Sequence, residues 1–374
     1  MKIVIAMDSF RGSIDADAAS AAIRRGLLKA DPDLNIVLKP MADGGEGTAR
    51  AMMTALNGTW VPSTVMGPLP DRQVDGGYVW FEDRHEALVE MAVASGLPLL
   101  NREDYNPLKT TTYGAGQLLG RALARNPARA LLTVGGSATV DGGVGLARAL
   151  GWRFLDRDGR EVGQGGGELI RIAELVPPAE EFFPPVEVLC DVQNPLLGER
   201  GAARVFAPQK GATPEMVDQL EEGLSHLCAR VKEVLGLDMD VAGGGAAGGL
   251  SAGARVFLGA ELVPGIRTVM EACGLQASMA EADWVITGEG SFDHQSLMGK
   301  VVSGVAGPAR EAGVPVAVLA GRVGLPVEEH QAAGIRDAIA IRPPEMPLEY
   351  AMEHAGELLE AAAETWARNL RSTS

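Results

Sequence analysis

The first 58 residues alternate short apolar runs with amphipathic stretches, and this alternation restricts the fold more than any other feature. Residues 3–6 and 35–39 read as strands. Residues 15–30 place Ala18, Ala22, Ile23, Leu27 and Leu28 at helical spacing, with Ser13 or Asp15 as N-cap. A second helix runs to about residue 56 and closes at Asn57-Gly58. Strands joined through helices predict a parallel sheet. The last hundred residues return to this pattern, with strands expected at 284–287, 314–319 and 338–341 and one terminal helix over 347–370.

The middle of the chain reads differently. Runs at 60–65, 74–81 and 87–92 are separated by Gly, Pro and Asp, which suggests an antiparallel meander. A helix over 113–124 leads to a strand at 130–134, and another strand spans 186–190. Residues 213–235 form a long amphipathic pattern, and a glycine-rich bend at 243–249 opens a further helix. The expected fold class is α/β with two α/β domains. The first is a Rossmann/flavodoxin-like parallel sheet built from both chain ends (residues 1–59 plus 283–374). The second is an inserted mixed-sheet domain (residues 60–282). A length of 374 residues suits two domains of about 150 residues each.

Lys and Arg number 33 against 49 Asp and Glu, a net charge of −16. That excludes a nucleic-acid or anionic-membrane surface, which needs positive charge, but leaves room for a locally positive pocket. Three separated cysteines give no Cys-x-x-Cys pair and point to a reducing compartment. No apolar run approaches the roughly 18 residues of a membrane span. The expected location is the cytoplasm.

Glycine, 48 of 374 residues, is about twice as frequent as the usual ~7% and clusters between apolar segments. In a parallel sheet, ligands bind at the carboxyl ends of strands, where loop N–H groups point outward. Four loops of this kind carry charge or glycine: 8–13, 42–48, 288–300 and Gly321-Arg322. Gly135-Gly136-Ser137-Ala138-Thr139 follows a strand and forms a candidate anion site, with Ser137 and Thr139 hydroxyls to help. The run at 243–249 contains G-x-G-x-x-G but follows no good strand, so dinucleotide binding is rejected and a phosphate or helix-start role is kept for Gly248. No Walker A sequence is present, nor a kinase set with His-Arg-Asp and Asp-Phe-Gly. Lys210 and Lys300 stand in glycine-bounded turns, either solvated or aimed at a phosphate. Asp191 ends an apolar strand, where it caps a turn or acts as base or metal ligand.

Eight blocks together resemble the type-1 bacterial glycerate kinase family. They are Asp8-Ser9-Phe10, Ala42-Asp43-Gly44-Gly45-Glu46-Gly47-Thr48, Glu90-Met91-Ala92, Gly135-Gly136-Ser137-Ala138-Thr139, Asp191-Val192-Gln193-Asn194-Pro195-Leu196, Pro208-Gln209-Lys210-Gly211-Ala212, Gly245-Ala246-Ala247-Gly248-Gly249 and Ile286-Thr287-Gly288-Glu289-Gly290. The resemblance implies transfer of the γ-phosphate of ATP to D-glycerate with Mg²⁺, on two α/β domains separated by a cleft. It departs at Met7, Arg11 and Val140, where the family has Pro, Lys and Asn. Phosphoryl transfer needs cations and N–H donors around the phosphates, a carboxylate-held metal and a carboxylate to orient the hydroxyl. On that basis Asp191, Lys210 and Asp8 are expected to be catalytic. Ser9, Arg11, Asp43 and Glu46 are expected at the substrate, the last two also within reach of metal through water. Gly135, Gly136, Ser137, Thr139, Gly248 and Lys300 are expected at the nucleotide, and Glu289 and Asp293 at the metal. Another small hydroxy acid as acceptor, or a non-enzymatic two-domain anion binder, remains an alternative. The choice between the 2- and 3-hydroxyl and the oligomeric state stay open.

Overall fold

The computed structural model describes residues 1–42, 44–45, 47–179, 183–297 and 300–372. Its contacts divide the chain into two compact units. One comprises Met1–Asp43, Arg50–Leu56 and Ile266–Ser374, and the other Gly44–Ala49 and Asn57–Gly265.

The first unit is built on five parallel strands in the spatial order Ile335–Ala340, Val316–Ala320, Trp284–Gly288, Lys2–Met7, Asn35–Leu38. Counted by chain position, that order is 2-1-3-4-5, the flavodoxin-like one of the two arrangements that the expected Rossmann/flavodoxin-like parallel sheet left open. Residues 3–7, 284–288 and 316–320 are all buried, as strands covered on both faces must be. Helix Ala16–Ala30 starts at Asp15, whose carboxylate accepts the Ala18 N–H at 2.8 Å, and not at Ser13. It crosses helix Ala355–Ser372 so closely that a Cβ on Gly26 would lie 2.0 Å from the Glu360 carbonyl. On the same side Trp366 meets Trp284 edge-on at 5.1 Å and donates to Asp337 at 2.8 Å.

The single terminal helix expected over 347–370 is two helices, Leu348–Glu353 and Ala355–Ser372. The His354 ring stacks on Tyr350 at 4.0 Å, and its Nδ1 lies 2.9 Å from the Tyr350 carbonyl. These contacts hold His354 at φ −106°, outside the helical region.

The second unit carries a mixed six-stranded sheet in the order Glu261–Val263, Val186–Leu189, Arg129–Thr133, Glu86–Glu90, Gln73–Phe81, Thr59–Met66. The first four strands are parallel, and the last two close an antiparallel meander with Glu86–Glu90. One core lies under this sheet around Leu118, Leu132, Val188 and Leu250. A second gathers Leu169, Leu220, Leu224 and Phe257 along helix Pro214–Leu235, which Thr213 caps. Among the described residues no helix is long and apolar enough to cross a membrane.

Candidate active site

Each unit gathers polar residues at the carboxyl ends of its parallel strands. In the first unit the strand order reverses between Lys2–Met7 and Trp284–Gly288, which is where a doubly wound sheet opens a crevice. A cavity of about 550 Å³ lies there. Its lining includes Asp8, Ser9, Arg11, Glu289, Asp293 and Lys300, so six residues named from sequence, drawn from both chain ends, come together. Asp8 Oδ1 accepts the Ser9 N–H at 2.7 Å, which turns the chain sharply out of its strand. Gly288 must be glycine, because a Cβ there would meet the Leu319 carbonyl at 1.8 Å. This close approach sets the Glu289 loop directly beside Gly321, whose N–H donates to the Glu289 carbonyl at 3.2 Å. Asp293 Oδ1 accepts the Gln295 N–H at 2.9 Å.

Two cations that sequence reasoning left without a role, Arg322 and Arg342, line the same cavity. The Lys300 ammonium and the Arg322 guanidinium have no partner among the described residues. Cationic groups left without an intramolecular partner beside a cavity suit an anionic ligand. Glu289 is buried at 8% exposure and, with Asp8 and Asp293, supplies hard carboxylate oxygens. Among the described residues no group of three or more His, Cys, Asp or Glu is placed to hold a metal by itself. Mg²⁺ fits such a donor set, because it is usually held by one or two carboxylates together with substrate phosphates.

The second unit's cluster is tighter. Residues 135–139 leave the strand Arg129–Thr133 and are pinned by Ser95–Leu97: Leu97 N–H donates to the Gly136 carbonyl at 2.8 Å, and Ala138 N–H to Ser95 at 2.9 Å. The Gly136 and Ser137 N–H groups have no acceptor among the described residues. Gly136 takes φ +72°, a conformation open to glycine at no steric cost. Lys210, only 2% exposed, donates from Nζ to Ser137 Oγ and to the Thr139 carbonyl, both at 2.7 Å. Burial drives its pKa down to about 7, while the Asp141 charge pulls it back up. Asp141 is itself fully enclosed. Burial raises its carboxyl, opposed by hydrogen bonds from Thr112, Gly143 and Gly145.

Glu90, at the end of its strand, accepts the N–H groups of Gly47 and Ala49, each at 3.1 Å. It thereby fixes the entry to helix Thr48–Ala55. Gly44, at φ +81°, lies against the end of Val186–Leu189, where a Cβ would sit 2.8 Å from the Leu189 carbonyl. Asp191 leaves that same strand end through Cys190. Gly248 contributes shape: it is left-handed at φ +65°, and a Cβ would come within 2.0 Å of the Thr139 carbonyl. Its own carbonyl accepts the Gly142 N–H at 3.0 Å.

Asp43 and Glu46 lie outside the described residues. The residues that sequence reasoning left without roles are Glu90, Asp141, Arg322 and Arg342. Glu90 ended an apolar strand, which is the signal that pointed to Asp191, and Asp141 followed a glycine-rich turn. Arg322 had only its place in a strand-end loop.

Comparison with known proteins bears on what these clusters serve. The model of the glycerate kinase family matches residues 3–371. The glycerate kinase of Halalkalibacterium halodurans is 45% identical over 366 residues, 96% of each chain. The glycerate 2-kinase of Escherichia coli is 43% identical over 327 residues, covering 86% of this chain and 85% of its own. A crystal structure from Salmonella typhimurium LT2, described as a candidate glycerate kinase 2, superposes with a TM-score of 0.83 at 40% identity. It covers 100% of this chain and 99% of its own.

Proposed function

This chain belongs to the glycerate kinase family, and we propose that it transfers the γ-phosphoryl group of ATP to a hydroxyl of D-glycerate, with Mg²⁺ as the accompanying ion. The family match over residues 3–371 carries the reading, and the two strand-end clusters supply the chemistry such a transfer needs.

Phosphoryl transfer demands little covalent work from the protein; it needs positioning and charge stabilisation. Lys300 and Arg322 line the first unit's cavity without a partner among the described residues and neutralise phosphate oxygens. Glu289 and Asp293 would hold Mg²⁺ together with the substrate phosphates, and the ion when bound would draw charge from the phosphate oxygens. In the second unit the Gly136 and Ser137 N–H groups present donors to an anionic oxygen. Lys210 Nζ donates to the Ser137 hydroxyl and the Thr139 carbonyl, holds them in place, and adds positive charge next to them while it is protonated. Asp191, at its strand end, orients the acceptor hydroxyl and takes its proton as the new P–O bond forms. Ser9 and Arg11 add a hydroxyl and a charge that Arg can share bidentately with a carboxylate or phosphate. Asp43 and Glu46 are proposed at the acid or, through water, at the metal.

Phosphorus NMR of the product formed from D-glycerate and Mg-ATP tests the proposal. A single new phosphomonoester resonance with stoichiometric ADP supports it and identifies the hydroxyl. No product with D-glycerate, alongside product with another small hydroxy acid, would transfer the assignment to that acid.

A further inference from the structure

The first unit's cavity is lined by two chemically distinct sets of residues. One is cationic: Arg11, Lys300, Arg322 and Arg342. The other is aliphatic: Ile341 from the end of the last strand, Leu348 and Met352 from the short helix Leu348–Glu353, and Leu358 from the helix after it. Leu348 is 60% exposed, so this set offers apolar surface that the fold itself leaves uncovered. Glycerate is a seven-heavy-atom molecule that is polar at every carbon. It fills a small part of about 550 Å³ and has nothing to place on such a wall. A nucleoside triphosphate has the matching division, a flat apolar base at one end and several negative charges at the other. Pockets of this size with one apolar wall and a few convergent polar groups are typical of cofactor-sized ligands. The position, at the reversal of a doubly wound sheet, is also the usual place for a nucleotide in such folds.

We infer that this cavity seats the nucleotide, with the purine base on the Ile341, Leu348, Met352 and Leu358 wall and the phosphates toward Lys300 and Arg322. The inference rests on the kinase reading for the ligand's class, and it assigns to the first unit the base-recognising part of the donor site. The break at His354 then has a use: it turns Leu348–Glu353 so that Leu348 and Met352 line the cavity.

Isothermal titration of the full chain with Mg-ADP, in the absence of D-glycerate, tests this. The Leu348→Gln variant is neutral, and position 348 is exposed enough that folding is not at stake; a thermal unfolding scan checks it. The expected result is ADP affinity weakened at least fivefold in Leu348→Gln and at least thirtyfold in the Leu348→Gln, Met352→Gln pair. Inorganic tripolyphosphate, which lacks the base, should bind all three proteins within twofold, and the KM for D-glycerate should stay within twofold. The inference is overturned if Mg-ADP does not bind the unaltered protein, if ADP affinity is unmoved in the pair, or if tripolyphosphate weakens in parallel with ADP. A rise in the D-glycerate KM alone would also overturn it, by giving the wall to the acid. If the unaltered protein binds ADP on this wall yet phosphorylates no D-glycerate, the acceptor assignment fails and the nucleotide site stands.

Discussion

Lys210→Met gives the sharpest test of the second unit's cluster, because its effect depends on pH in a way fixed by the structure. The unfolded chain keeps this lysine's proton up to about 10.5, whereas burial makes the folded chain release it near 7. Between those values the unfolded state binds more protons, so stability rises with pH. Below pH 7 both states are protonated, and the cost of enclosing the ammonium stands in full. The interval from 10.5 to about 7 corresponds to about 5 kcal/mol. The methionine variant lacks that cost but leaves the Thr139 carbonyl without its donor, a loss of about 1–3 kcal/mol. The Ser137 hydroxyl can turn to another acceptor. The variant should therefore be more stable than the unaltered protein at pH 6.5, by about 2–4 kcal/mol. From pH 7.5 to 9.5 this advantage should shrink by about 1.4 kcal/mol per pH unit. Urea unfolding followed by far-UV circular dichroism at half-unit steps from pH 6 to 9.5 reads both. Parallel stability curves for the two proteins would refute the reasoning: Lys210 would then hold its proton in the fold as firmly as outside it. Turnover should fall at least a hundredfold in the variant, since the charge and the anchor for residues 137–139 go together.

Asp191→Asn keeps shape and removes the acceptor for the hydroxyl proton. The kcat should drop by about 10²–10⁴ with the ATP KM within about threefold, and near-normal turnover would remove Asp191 from the role. Glu90→Ala strands the Gly47 and Ala49 N–H groups, so denaturant unfolding should show a loss of about 2–4 kcal/mol. An unchanged midpoint would mean that water replaces the carboxylate without cost. Gly248→Ala must place a Cβ at φ +65° and 2.0 Å from the Thr139 carbonyl, and a loss of at least about 3 kcal/mol is expected. A loss under 1 kcal/mol would show that the 139–142 backbone can move aside.

The parallel sheet of the first unit was readable because its strands are buried on both faces and so appear as unbroken apolar runs. The meander was readable from the breaks between its runs, Gly67-Pro68 and Pro70-Asp71 before the second strand and Glu82-Asp83 after it, although Pro62 and Gly76-Gly77 lie inside the strands. The break at His354 was not, because the apolar periodicity continues through it and a ring stack with Tyr350 decides the local geometry. Gly248 shows a subtler limit. Its glycine-rich run could be read as an anion cradle or as a helix start, and only three-dimensional proximity to Thr139 reveals how tightly the backbone fills the Cβ position.

The candidate site itself is hidden in sequence by the way a doubly wound sheet collects its loops. With a net charge of −16 the chain has no basic stretch that would announce an anion site. Its cavity cations come singly, Arg11 from one end of the chain and Lys300, Arg322 and Arg342 from separate loops near the other. Each follows a different strand, and only the 2-1-3-4-5 order brings those strand ends to one crevice. A lone arginine after a strand is unremarkable in sequence; four cations on one 550 Å³ cavity, alongside three carboxylates, form a lining that suits the metal–phosphate ligand proposed for it. The net negative charge of the chain then works in favour of selectivity, since an anion is held back except where cations or free N–H donors converge.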